Sequence, residues 1–171
     1  MGIALAELAS ISERRTERLV NPFLSGGLPA FLIRAGGLNS GFMIAQYVSA
    51  ALVSENKVLA HPACVDSIPT SAGQEDHVSM GTIAARKALS IAENTSRVLA
   101  IELLAASQAL DLHAPLVSSP PLTAVRTLIR ESVSYLEVDR EMYPDIDKVY
   151  HLLISGAVMQ KIKEKCEGFA L

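Results

Sequence analysis

The chain has 171 residues, half of them hydrophobic but only 5% aromatic, with no tryptophan and a net charge of −3. Its basic residues are scattered apart from Arg14, Arg15 and Arg18, which argues against a nucleic-acid-binding face. No apolar run approaches the ~18 to 20 residues needed to cross a bilayer, so no membrane partner is expected.

The length fits a single domain, residues 1–171, with a substantial core. Its apolar content is mostly alanine, leucine, isoleucine and valine, the mix of close-packed helices rather than of a β-sandwich. With 19% charged residues and a mean hydropathy of +0.30, a lone chain would leave much apolar surface bare. Self-association through long helices is therefore expected. Cys64 and Cys166 have neither metal-type nor redox-motif spacing. With a start (MGIALAELASISERR) that lacks a basic leader, they point to a reduced cytoplasmic compartment.

In chain order, Ile3, Leu5, Leu8, Ile11 and Leu19 recur at near-helical spacing and predict a helix over residues 3–19. It begins abruptly, as would a chain cut within a helix. Pro22, Gly26, Gly27 and Pro29 predict a connector of turns. After Gly36-Gly37 a second helix is expected from about Gly41 to Leu59, ending before Pro62. Residues 61–73 hold too many turn formers to be helical. Between Gly81 and Pro115 there is neither glycine nor proline, and one helix is expected from about His77 to Leu112. Its apolar residues surround it, as in the interior of a bundle larger than this chain. Pro115 and the SSPP run (118–121) should end it. Shorter helices are expected at Thr123–Leu136 and, after a polar connection at residues 139–144, at Asp145–Lys165. In that last helix Ser155-Gly156 is a packing detail. The fold class is all-α, with two long and three shorter helices.

The loop before the long helix carries four polar residues in a row, Gln74-Glu75-Asp76-His77. One reading is helix capping, with Asp76 placed to engage the unpaired N–H groups of the first turn. A second is a metal site, since His61, Glu75, Asp76 and His77 are ligand types, although no HxxxH or HExxH spacing occurs. The third is a substrate-binding carboxylate at the mouth of a bundle. Elsewhere, His113 and His151 read as core or surface histidines. Arg14 and Arg15 beside Glu13 and Glu17 read as a solvated helix face or an interface pair.

The runs SERRTERLVNP (12–22), LPAFL, GLNSGFMIAQ (37–46), SENK, HPACVDSIPTSAGQEDHVSMG (61–81) and AARKAL together resemble the C-terminal part of the histidine ammonia-lyases. The resemblance is continuous from about Ile3 to Leu89, and only helical character agrees beyond that. Gly73 and Cys64 stand where the family pattern has asparagine and serine. The resemblance implies a long-helix bundle of the aspartase and ammonia-lyase type, whose full members convert L-histidine to trans-urocanate and ammonia. It implies that Glu75 is the catalytic-site carboxylate beside the substrate imidazole, favouring histidine over phenylalanine or tyrosine. It also implies that Met43 lines the same pocket, with Tyr47 one turn further on, while Gln74 and His77 support the loop. The family's electrophile, methylidene-imidazolone, forms from an internal Ala-Ser-Gly, and no such triplet occurs here. The catalytic tyrosine loop and the asparagine, glutamine and arginine substrate contacts belong to the family's N-terminal portion.

The expectation is therefore a C-terminal subunit or fragment, inactive alone, that carries no cofactor. It would complete a site with an N-terminal ammonia-lyase half, in a family whose sites are shared between subunits of a tetramer. Two alternatives are a non-catalytic helical oligomerisation module and a lyase or aminomutase fragment for another aromatic amino acid.

Overall fold

The computed structural model describes residues 1–65 and 68–166. They form six α-helices: α1 (Gly2–Val20), α2 (Met43–Leu59), α3 (Gly81–Leu112), α4 (Pro120–Ser132), α5 (Tyr143–Ile154) and α6 (Ala157–Lys165). Among the described residues the only β-type pairings are isolated bridges, Gly36 with Asn39 and Thr70 with Glu75. The expected all-α bundle is what the chain adopts, and no helix among these residues is long and apolar enough to cross a membrane.

Free of helix breakers over 32 residues, α3 extends about 48 Å and serves as the spine. Helix α1 runs parallel to it: Gly2 lies against Ile91, and Ser12 donates to Glu102 at 2.6 Å. Small residues on α1 permit this close approach, with Ala9, Ser12 and Thr16 fully buried. Helix α2 runs antiparallel, since Asn94 of α3 bonds Glu55 and Asn56 near the end of α2 while Ala45 near its start reaches the level of Ile101. The main core forms around the C-terminal half of α3, where Ile101, Leu104 and Ala105 meet Leu32, Ile33, Phe42, Ile129, Val149 and Val158. The first turns of α3 and the outer faces of α1 and α2 keep Ile83, Leu89, Ile3, Leu8, Tyr47 and Val58 exposed.

Several helix boundaries depart from the sequence expectation. The spine starts at Gly81 rather than His77, because Met80 sits in a left-handed conformation (φ 48°) and bends the chain there. Pro120 does not merely end the preceding segment but opens α4. A proline in the first helical turn loses no hydrogen bond, and its fixed φ already suits a helix. That helix stops at Ser132, since Val133 turns extended and, with Leu136, is drawn into the core. The expected helix Asp145–Lys165 is two helices, broken at Ser155-Gly156. Gly156 takes φ +80°, which lets α6 turn back onto α4. The Ser155-Gly156 pair is thus a corner rather than a packing detail.

One buried side chain joins the pieces that lack helical ladders. Gln108 of α3 donates from Nε2 to the carbonyls of Leu32 (3.2 Å) and Leu136 (2.9 Å). Its Oε1 accepts from the Leu136 N–H (3.1 Å) and from Arg130 (3.2 Å). Buried backbone groups without partners are costly, and Gln108 satisfies three of them in two segments. Gln108→Leu keeps the approximate volume and orphans those groups. It should lower unfolding free energy by about 2–4 kcal/mol in urea titrations.

Candidate functional site

The residues picked out by the sequence occupy two mounts. The first is the start of α2. Asn39, Ser40 and Gly41 are clasped by Asp139 from the α4–α5 connection: its carboxylate accepts the Ser40 N–H (2.7 Å) and the Gly41 N–H (2.8 Å). In return the Asp139 N–H donates to Asn39 Oδ1 at 2.9 Å. Gly41 is required by geometry, because an added Cβ would stand 2.4 Å from the Phe31 carbonyl oxygen. That same oxygen accepts the Phe42 N–H at 2.9 Å, which sets the direction in which α2 departs. Met43 and Tyr47 follow, one turn apart on one face as expected, and 37% and 73% exposed. The adjoining face of α2 (Ile44, Val48) lines a cavity of about 560 Å³, closed opposite by Arg97, Tyr143 and Asp147.

The second mount is the loop between α2 and α3. Ser71 (φ 52°), Ala72 (φ 57°) and Gly73 (φ +86°) are consecutively left-handed, which reverses the chain within four residues. Thr70 and Glu75 then pair, N–H to carbonyl in both directions, at 2.8 and 3.3 Å. Left-handed conformations cost non-glycine residues roughly 1–2 kcal/mol each. At position 73 glycine avoids that cost. The Glu75 carboxylate turns back on the same loop, accepting from Thr70 Oγ1 (2.5 Å) and Ser71 Oγ (3.2 Å). Gln74, Glu75, Asp76 and His77 are all exposed.

Asp76 does not cap the spine as expected. It lies five positions before Gly81, Met80 holds the cap position, and no side chain makes the cap hydrogen bond. Among the described residues no three His, Cys, Asp or Glu side chains are grouped to hold a metal ion. His113 and His151 are both exposed at the surface.

The two mounts do not meet within one chain. Met43 and Tyr47 open α2, which extends about 25 Å. The Glu75 loop follows its other end and leads into Gly81, twenty residues of α3 before the level of Ile101. The side-chain bonds of Glu75 stay within its own loop, and that of Gln46 goes to Glu13 on α1.

Sequence reasoning missed the residue that anchors the first mount. Glu13, read as part of a solvated face or an interface pair, has a side chain only 4% exposed. It accepts from Gln46 Nε2 at 2.7 Å, so α1 grips α2 directly beside Met43 and Tyr47, and from Arg14 at 2.6 Å. Arg15 turns instead to Glu102 on α3 at 2.5 Å. That hydrogen bond raises the Arg15 pKa above its ordinary value, with partial burial opposing. Periodicity could not reveal this pairing, because Glu13 and Gln46 belong to different helices.

The match to known proteins is specific. The aromatic amino acid lyase family model covers residues 1–131, and the chain belongs to that family. It is 60% identical over 164 residues to histidine ammonia-lyase from Natranaerobius thermophilus, covering 96% of this chain and 32% of that protein. The histidine ammonia-lyase of Caldanaerobacter subterraneus is 56% identical over the whole chain, which spans 33% of it. Among solved structures, the Trypanosoma cruzi histidine ammonia-lyase superposes with a TM-score of 0.93 at 55% identity, covering 98% of this chain and 33% of that one. Tyrosine aminomutase from Streptomyces globisporus gives 0.92 at 40% identity, covering 97% and 32%. The chain thus spans about a third of the length of these relatives.

Removing the clasp should loosen the first mount. Asp139→Ala is expected to cost about 1–3 kcal/mol and to speed hydrogen exchange at the Ser40 and Gly41 amides above all others.

Proposed function

We propose that this chain is the C-terminal part of a histidine ammonia-lyase, one helical domain over residues 1–171. In this reading it supplies substrate-pocket residues for the conversion of L-histidine to trans-urocanate and ammonia in the cytoplasm. The observation that carries the reading is Glu75, an exposed carboxylate on a tightly turned loop within the QEDH run, in a chain 60% identical to a histidine ammonia-lyase. A substrate imidazole needs a partner that accepts its N–H and tolerates its positive charge. A carboxylate does both, and in a site closed to water its charge-assisted bond outweighs an amide's. Met43 and Tyr47 would supply apolar wall and Gln74 a further hydrogen-bonding group.

The methylidene-imidazolone of the family does not fit this chain, since no Ala-Ser-Gly triplet is present to form it. The electrophile would belong to an N-terminal ammonia-lyase half, and this chain would bind and orient the imidazole. The separation of the two mounts fits a shared site, because bringing Met43 and Glu75 to one substrate requires another chain. Exposed apolar side chains along α1, α2 and α3 offer surface for such assembly. They also favour the rival reading, a non-catalytic helical oligomerisation module. The fold shared with a tyrosine aminomutase keeps a fragment for another aromatic amino acid as the other alternative. Glu75 speaks against it.

The test is urocanate formation from L-histidine by this chain, alone and co-expressed with a polypeptide carrying the Ala-Ser-Gly portion of a relative. Activity is expected only in the pair. Glu75→Gln should lower its kcat/KM by about 10- to 100-fold, the worth of one hydrogen bond to a charged group. A pair that co-purifies without forming urocanate would leave the oligomerisation module as the better reading.

A further inference from the structure

The Glu75 carboxylate is asymmetrically engaged. Both hydroxyls that reach it, Thr70 Oγ1 and Ser71 Oγ, donate to the same oxygen, Oε2, and neither engages Oε1. The backbone arranges this. The left-handed run at residues 71–73 folds the loop until Thr70 and Glu75 pair through their main chains, and that pairing brings the two hydroxyls onto the carboxylate.

An exposed glutamate ordinarily samples many rotamers, and fixing one costs entropy at the moment a ligand binds. Two hydroxyl donors on one oxygen orient the carboxylate plane beforehand and leave the other oxygen to receive a ligand N–H. We propose that Thr70 and Ser71 are positioning residues for Glu75, holding Oε2 so that Oε1 is the atom that accepts the substrate imidazole N–H. The ligand part of this rests on the reading of Glu75 as the imidazole partner. The positioning part stands on the loop geometry alone.

Two measurements separate these parts. In the isolated chain, side-chain couplings and 13C relaxation of Glu75 report whether it holds one rotamer. One rotamer is expected in the wild type, with averaging in Thr70→Val and in Ser71→Ala, and with order retained in Thr70→Ser, which keeps the hydroxyl. Using both removal variants guards against one of them misfolding. Rotamer averaging in the wild type would overturn the positioning role. In the complemented pair, Thr70→Val should raise KM for L-histidine about tenfold with kcat within about twofold, and Thr70→Ser should restore it. An ordered Glu75 that is released by Thr70→Val without any change in KM would overturn the assignment of Oε1 as acceptor. Absence of urocanate from the wild-type pair would overturn the lyase reading and its ligand clause, while the rotamer measurement would still decide the positioning.

Discussion

The uninterrupted course of α3 is the constraint on which the remainder depends. Thirty-two residues without glycine or proline give a rod that every other part of the fold uses as a reference. Its two halves live in different surroundings. The C-terminal half is enclosed by the segment around Leu32 and by α1, α2, α4 and α5, and it carries the main hydrophobic core. The first turns project beyond that core, with residues 81–86 all exposed. A rod held firmly at one end can present a loop at the other, and the Glu75 loop sits at that free end.

Apolar packing brings the helices together, but buried polar groups fix how they sit. Gln108 satisfies backbone groups of two irregular segments at once, and Glu13 ties α1 to α2 through Gln46. The Asp139 carboxylate holds the turn from which α2 starts. Each of these links joins parts of the chain more than 25 positions apart, and each uses hydrogen bonds whose loss would leave a buried or half-buried group unpaired. The helices are thereby set in one register, and the side chains they present are set with them.

The two mounts of site residues differ in how they are stabilised. Met43 and Tyr47 ride on a regular helix braced by Asp139 at Ser40 and Gly41, just before its first turn, and by Glu13 at Gln46. Glu75 rides on a short loop that pays conformational strain at Ser71 and Ala72 to close on itself. Strain of this kind persists where surrounding bonds outweigh it, and here the main-chain pairing of Thr70 with Glu75 and the two hydroxyl bonds do so. Backbone held in this way at both mounts suits the proposed role of meeting a small ligand at fixed distances.

The sequence by itself determined the helical class, the spine and the identity of the polar loop. Apolar spacing and the absence of breakers are local properties, and they survive folding unchanged. Motifs such as GLNSGFM and QEDH were legible for the same reason, since their order along the chain carries the family pattern. Only the tertiary structure decided the rest. Pro120 opening α4, Gly156 turning a corner and Met80 displacing the start of α3 each depend on which backbone conformation packing rewards, and a window of sequence does not contain that information. The burial of Glu13 and the separation of Met43 from Glu75 were hidden too, because both follow from how α2 lies against α1 and α3. Sequence names the groups that can do chemistry, whereas packing fixes which of them share a place.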